Sequence, residues 1–235
     1  MNIAVLLMAG SGLRLQHQEP KQFISIGGKP LFGYALDTLY SHREIERIVL
    51  VVHDDYLAQV KTYCEKYLPD KPWDLIRGGK TRQASVYQAV LHLMPTTKED
   101  DIILLHDAAR PFVSEKIIEA NLKKAHEVGA VNTAIESLDT LIKIDGEKQI
   151  IETLDRSCIF RVQTPQTFTF ALLKRAHELA LTKGITSASD DAQLVKALPH
   201  PVYIVQGEVA NFKVTRQSDF ELLKAILLTR GNKHG

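Results

Sequence analysis

The stretch Ile3-Ala4-Val5-Leu6-Leu7-Met8-Ala9-Gly10-Ser11-Gly12-Leu13-Arg14, followed shortly by Pro20-Lys21-Gln22, decides how the chain is read. Its first half is an apolar run too short to cross a bilayer and without the basic residues that open a secretion signal. It reads as a strand buried on both faces. The second half is a glycine turn. Gly10 and Gly12 accept backbone conformations and close approaches that a Cβ forbids, so a row of main-chain N–H groups can face phosphate oxygens there. Arg14 and Lys21 add positive charge over the same spot. Taken alone, the segment also reads as a tight turn flanked by two solvated cations.

Outward from this turn, short apolar runs alternate with amphipathic stretches. Strands are expected at Ile3–Met8, Arg47–His53, Asp74–Arg77, Asp101–His106 and Ala130–Glu136, and helices at Pro30–Tyr40, Asp54–Tyr67, Thr81–Leu93 and Ser114–Glu127. Such alternation needs crossover helices and therefore a parallel sheet, which predicts a doubly wound α/β fold with its ligand at the carboxyl ends of the strands. After Glu136 the rhythm changes. Asp145-Gly146, between the β-type runs Thr140–Ile144 and Gln149–Thr153, predicts a hairpin arm over about residues 137–157. A lone hairpin is marginally stable in water, so the arm is expected to pack on something, such as another subunit. Beyond it a short strand near Ile159–Gln163, helices at Phe170–Lys183 and Asp190–Leu198, a strand at Val202–Val205 and a closing helix at Ser218–Leu228 are expected. No linker interrupts the 235 residues, which predicts one domain over 1–235.

Composition narrows the function. With 45% hydrophobic and 24% charged residues the chain has the mix of a globular protein, and its formal net charge of +1 offers no basic field to hold nucleic acid or an anionic membrane. An anionic ligand must be held by local groups. The two cysteines, Cys64 and Cys158, lack CxxC spacing and fit a reducing cytoplasm, and the nine histidines form no HxH or HExxH pair, so no protein metal site is expected. Two well-known phosphate loops fail here: Leu15 stands where a dinucleotide fingerprint needs its third glycine, and the upstream glycine of a Walker A loop ending at Gly79-Lys80-Thr81 would fall on Asp74. The first failure argues against an NAD(P)-dependent oxidoreductase.

Two further segments sit where a parallel sheet would bring them to the ligand edge. Gly78-Gly79-Lys80-Thr81-Arg82-Gln83-Ala84-Ser85 offers glycines that allow backbone contact with a flat ligand and a hydroxyl near a helix start, or else ordinary helix capping. In His106-Asp107-Ala108-Ala109-Arg110-Pro111, Asp107 suits Mg²⁺ or a sugar hydroxyl and Arg110 suits a phosphate, though a structural Asp–Arg pair explains the same residues. No Ser-His-Asp or Cys-His spacing is present. A main-chain cradle with two cations and one carboxylate suits attack by an already ionised phosphate on an activated phosphate, where positioning matters more than a base.

These residues resemble the 2-C-methyl-D-erythritol 4-phosphate cytidylyltransferase family almost end to end. The resemblance is carried by Ala9 to Gln22, Gly78 to Val86, His106 to Phe112, Asp139-Thr140, Asp155-Arg156, Gln163 to Phe168, Ser189 to Ala192 and Asn211 to Arg216. The related ribitol-5-phosphate cytidylyltransferases share several of these but usually depart at His106–Pro111 and Lys213–Arg216. The resemblance implies a nucleotide-diphospho-sugar transferase-like Rossmann variant with a protruding β-arm. It implies CTP and a polyol phosphate as substrates, with Mg²⁺ held mainly through the CTP phosphates. Arg14 and Lys21 match the catalytic positions. Ala9, Gly10, Ser11, Gly12, Gly79, Lys80, Arg82, Ser85, Asp107 and Ala108 match the nucleotide contacts. Arg110, Thr140, Arg156, Ser189 and Lys213 match the groups that hold the sugar phosphate, with Thr140 and Arg156 reaching the partner's site in a homodimer. Met8, Lys80 and Ser189 depart from residues often found at their positions in the family.

Overall fold

Along β1 (Asn2–Met8) the side chains of Ala4, Leu6 and Met8 enter one hydrophobic cluster and those of Ile3, Val5 and Leu7 the other, which is the two-sided burial of a central parallel strand. The computed structural model describes residues 1–10 and 19–231. After β1 come β2 (Ser25–Ile26), β3 (Lys29–Pro30), α1 (Leu31–Ser41), β4 (Arg47–Val52), α2 (Leu57–Tyr67), β5 (Trp73–Arg77), α3 (Arg82–Leu93), β6 (Ile102–Asp107), α4 (Glu115–Val128) and β7 (Ala130–Glu136). The second half holds β8 (Ile142–Ile144), β9 (Ile150–Thr153), β10 (Phe160–Thr169), α5 (Phe170–Thr182), α6 (Asp191–Lys196), β11 (Tyr203–Gln206) and α7 (Gln217–Gly231).

One seven-stranded sheet in the order β11-β7-β10-β6-β1-β4-β5 organises these elements. All its pairings are parallel except those of β10, which runs antiparallel between β6 and β7. Phe32 of α1, Val60 of α2 and Ile117 of α4 pack on one face, while Val86 of α3, Leu173 of α5 and Val195 of α6 pack on the other. The mostly parallel, doubly wound expectation therefore holds.

Three local readings change. The strand expected near Ile159–Gln163 runs on to Thr169, because Pro165, which reads as a strand breaker, sits where the ladder to β7 shifts register between Val162 and Gln166. Its Thr164–Pro165 peptide is cis, and Asn211 fills the interruption by donating to Thr164 O (2.8 Å) and Gln163 Oε1 (3.1 Å). A small hairpin, β2–β3, turns through Gly27 and Gly28 at φ of 60° and 80°, a geometry that favours glycine. On the arm, the turn is wider than an Asp-Gly pair predicts. Asp145 Oδ1 accepts from the N–H groups of Glu147 and Gln149, both at 2.9 Å, and Lys148 takes the positive φ of 67°.

Candidate active site

β1, β4, β5 and β6 are parallel neighbours, so their carboxyl ends share one edge of the sheet. α1 and α2 pack on one face and α3 on the other, which leaves a crevice beside the end of β1. A cavity of about 710 Å³ opens there, lined among others by Ala9, Gly10, Lys21, Gly79, Ser85 and Asp107. Lys80, Arg82 and Lys213 also face it. Three segments separated in sequence thus meet at the predicted place. Ser11, Gly12 and Arg14 lie outside the described residues.

The glycines do different work. Among the described residues, a Cβ on Gly10 would meet nothing within 4 Å. A Cβ on Gly78 would collide with Ala9 Cβ, and one on Gly79 with Ala84. The pair is therefore required so that the turn after β5 can pass between the end of β1 and the first turn of α3. That packing need stands beside the expectation that the glycines serve a flat ligand, since both also line the cavity. Ser85, 4% exposed, closes the same turn: its Oγ accepts from Gly79 N–H (3.1 Å) and donates to Thr81 O (2.9 Å). Thr81 caps α3 by accepting from Ala84 N–H (3.0 Å).

Lys21 opens a single helical turn, Lys21–Phe23, whose Phe23 stacks on Tyr56 with ring centroids 4.0 Å apart. Its neighbour Gln22 is buried and donates both amide hydrogens to the end of β1, to Met8 O (2.8 Å) and Gly10 O (2.6 Å). Those carbonyls are tied back, and the two ends of the loop after β1 are stapled together. The sequence reading quoted Gln22 without giving it a role; only its place beside Lys21 hinted at one.

At the cavity floor Asp107 is held by two cations. Its Oδ2 accepts from Lys213 Nζ (2.5 Å) and its Oδ1 from Arg82 Nε (3.3 Å). Burial alone would raise the carboxyl pKa, but Lys213 and Arg82 outweigh it and hold the group ionised, well below the usual carboxylate range. His106, one residue earlier, is fully buried, and burial pushes its pKa down to about 4. Its Nε2 lies 3.0 Å from Arg110 O, which can only accept, so the network assigns the proton to Nε2; Nδ1, 3.0 Å from Thr164 Oγ1, accepts from that hydroxyl. His106 is a neutral strut. Thr164 Oγ1 in turn accepts from Asp107 N–H (3.1 Å).

Not every expected residue reaches the cavity. Ala108 is 1% exposed in the core, with its N–H bonded to Leu7 O (3.0 Å), and Ala109 lines the cavity in its place. Arg110 donates to Asn211 O (2.8 Å) and Val162 O (3.2 Å), beside the cavity rather than within its lining. Ser189 is exposed and donates to Gln193 Oε1 (3.1 Å) at the start of α6, away from the lining. Thr140 and Arg156 are exposed on the arm, apart from their own chain's cavity.

Comparison with known proteins shows the family. A curated 2-C-methyl-D-erythritol 4-phosphate cytidylyltransferase of Thermotoga neapolitana is 42% identical over 226 residues, 96% of each chain. A ribitol-5-phosphate cytidylyltransferase of Streptococcus agalactiae is 30% identical over 234 residues, 99% of this chain and 98% of the relative. The crystal structure of 4-diphosphocytidyl-2C-methyl-D-erythritol synthase from Anaerococcus prevotii superposes with a TM-score of 0.85 at 31% identity, covering 97% of this chain and 96% of that one. The family profile described as IspD, 2-C-methyl-D-erythritol 4-phosphate cytidylyltransferase, matches residues 2–229, and the chain belongs to that family.

Proposed function

We propose that the cavity binds CTP and that the phosphate of 2-C-methyl-D-erythritol 4-phosphate attacks its α-phosphorus, giving 4-diphosphocytidyl-2-C-methyl-D-erythritol and pyrophosphate. The observation that carries this reading is the meeting of Ala9 and Gly10, the Gly78–Ser85 segment and Asp107 in one cavity of about 710 Å³. A new P–O bond forms from the acceptor phosphate, the bond between the α-phosphorus and the bridging oxygen breaks, and its electron pair leaves on pyrophosphate. The attacking oxygen is already ionised, so no base is needed, and a histidine held neutral with a pKa of about 4 is not placed to be one.

Lys21, with Arg14, offsets charge that develops on the reacting phosphates. Backbone at Ala9 and Gly10 faces the nucleotide, Gly79 and Lys80 border it, and Asp107 stands toward the ribose. Lys213 and Arg110 approach from the acceptor side. Magnesium fits this set as an ion carried by the CTP phosphates. Mg²⁺ usually keeps water and substrate phosphates and takes only one or two carboxylates, and here Asp107 on the floor, with Asp54 at the rim, are carboxylates lining the cavity. Bound there, the ion would neutralise phosphate charge beside Asp107, whose Oδ2 accepts from Lys213 Nζ.

Thr140 and Arg156 stand apart from their own chain's cavity, which favours their holding the acceptor of a second copy in a homodimer joined through the arm; exposed Ile142, Ile144, Ile150 and Ile151 on the arm support this. Both cysteines are free thiols, which suits the cytoplasm, and no helix among the described residues is long and apolar enough to cross a membrane. The test is a screen of CTP, ATP, UTP and GTP against methylerythritol phosphate and ribitol 5-phosphate, read as released pyrophosphate. Turnover with CTP and methylerythritol phosphate is expected. Preference for ribitol 5-phosphate would favour the activity named for the Streptococcus relative.

A further inference from the structure

We propose that Asp191, which lies outside the cavity lining, is a positioning residue that acts through Arg82 to keep Asp107 available to the nucleotide. The inference rests on Asp107 belonging to the nucleotide site. Asp191 is the first residue of α6 and 1% exposed. Its Oδ2 accepts from Arg82 Nη1, its Oδ1 from His177 Nε2 (2.9 Å), and its N–H donates to Gln166 Oε1 (3.2 Å). Gln166 Oε1 also accepts from Arg82 Nη2 (3.3 Å), while Arg82 Nε reaches Asp107 Oδ1 (3.3 Å).

All three guanidinium nitrogens therefore have protein acceptors, and the plane of Arg82 is fixed by three separate groups. An arginine free to bind phosphate would present a two-nitrogen fork to it. Here that fork is turned toward Asp191 and Gln166, so Arg82, expected as a nucleotide contact, serves as a holder. The division of its donors has a consequence. Because Asp191 and Gln166 take Nη1 and Nη2, Arg82 commits a single nitrogen to Asp107 and leaves Oδ2 to Lys213 and to an incoming ligand. Two carboxylates and two cations then balance across Asp191, Arg82, Asp107 and Lys213. Without the Asp191 charge, Arg82 keeps Asp107 as its one carboxylate partner, and the guanidinium is drawn to close bidentately on it.

The experiment is a double-mutant cycle on the full-length enzyme, with kcat, the KM for CTP and the melting temperature measured for Asp191→Asn, Arg82→Lys and the pair. Asp191→Asn keeps the shape and loses the charge. It is expected to lower kcat/KM for CTP about tenfold, with part of the loss regained in Asp191→Glu. In the Arg82→Lys background the same change is expected to add little, because the residue it acts through has already lost its fork. Losses that multiply in the double variant, or full kcat/KM in a folded Asp191→Asn protein, overturn the inference. Should Asp191→Asn fail to fold, His177→Leu removes the other donor to Asp191, and its loss is expected to vanish in Arg82→Lys; a loss equal in both backgrounds overturns the inference. Wild-type protein that releases no pyrophosphate from CTP refutes the underlying reading instead, so the two failures are distinct.

Discussion

The cavity floor and the arm put charge to use in opposite ways. On the floor and behind it, charges are answered within the chain: Asp107 by Arg82 and Lys213, and Asp191, outside the lining, by Arg82 and a hydrogen bond to His177. On the arm, both strands are exposed throughout, Thr140 and Arg156 face outward, and Lys143 and Glu152 make an exposed pair at 3.8 Å, a type of contact that contributes little. On the proposed function, the floor is organised before any ligand arrives, whereas the arm's share of the acceptor site waits for a second copy. Substitutions on the two sides should therefore fail differently.

The largest contrast is expected between Lys21→Ala and Arg156→Ala. Removing a preorganised donor costs about 2.7–4 kcal/mol of transition-state stabilisation, so Lys21→Ala should lower kcat roughly 10²–10³-fold with a melting temperature close to wild type. Arg156→Ala should instead raise the acceptor KM and leave the KM for CTP unchanged. Steady-state kinetics with each substrate varied separately reads both, and a rise in the KM for CTP in Arg156→Ala would erase the division between floor and arm.

A smaller effect, peculiar to the floor, is expected on acid stability. The His106 imidazole, ordinarily near 6.5, is held at about 4 by burial in the folded protein. Between those values the unfolded chain binds a proton that the native one does not. Stability from keeping His106 neutral is complete above pH 6.5 and is lost as pH falls toward 4, at about 1.4 kcal/mol per pH unit. Urea titrations across that window should show the slope in wild type and a shallower one in His106→Gln, where an amide replaces the titrating ring. Equal slopes would mean the ring titrates normally. Gln22→Leu comes next. It leaves the Met8 and Gly10 carbonyls without their donor at a cost of about 1–3 kcal/mol, and it should lower kcat as well because the staple sets where Lys21 stands. A loss of stability with unchanged kcat would separate the two residues.

Much of this was legible in the sequence, for a physical reason. A strand buried on both faces must be apolar throughout, so Ile3–Met8 declares itself, and the glycines and Asp107 lie at strand ends that the parallel topology gathers, with Lys21 on the helical turn further along from β1. What escaped were partnerships made across the fold. Arg82 and Asp191 are 109 positions apart, and no local pattern joins them. Gln22 works through two carbonyls, which carry no side-chain signature. The arm's turn was misjudged because the Asp145 carboxylate, rather than the Asp-Gly pair, sets its backbone. Pro165 hid the second half of β10, since the register shift that accommodates it depends on the neighbouring strand.

The smallest expected change to the single chain makes the sharpest test of the arm. Ile150 is 59% exposed, so Ile150→Ser should alter the stability of an isolated chain by no more than about 0.5 kcal/mol. If the arm buries that side chain against a second copy, the same substitution removes apolar contact from an interface and weakens association, with no change at the floor. Sedimentation across a dilution series should then show Ile150→Ser dissociating at concentrations where wild type stays dimeric, with activity falling in step as acceptor binding is lost. The floor, complete within one chain, would still bind CTP. Unchanged association in Ile150→Ser, together with unchanged acceptor KM in Arg156→Ala, would mean that the arm completes no neighbour's site and that its outward-facing residues answer to solvent alone.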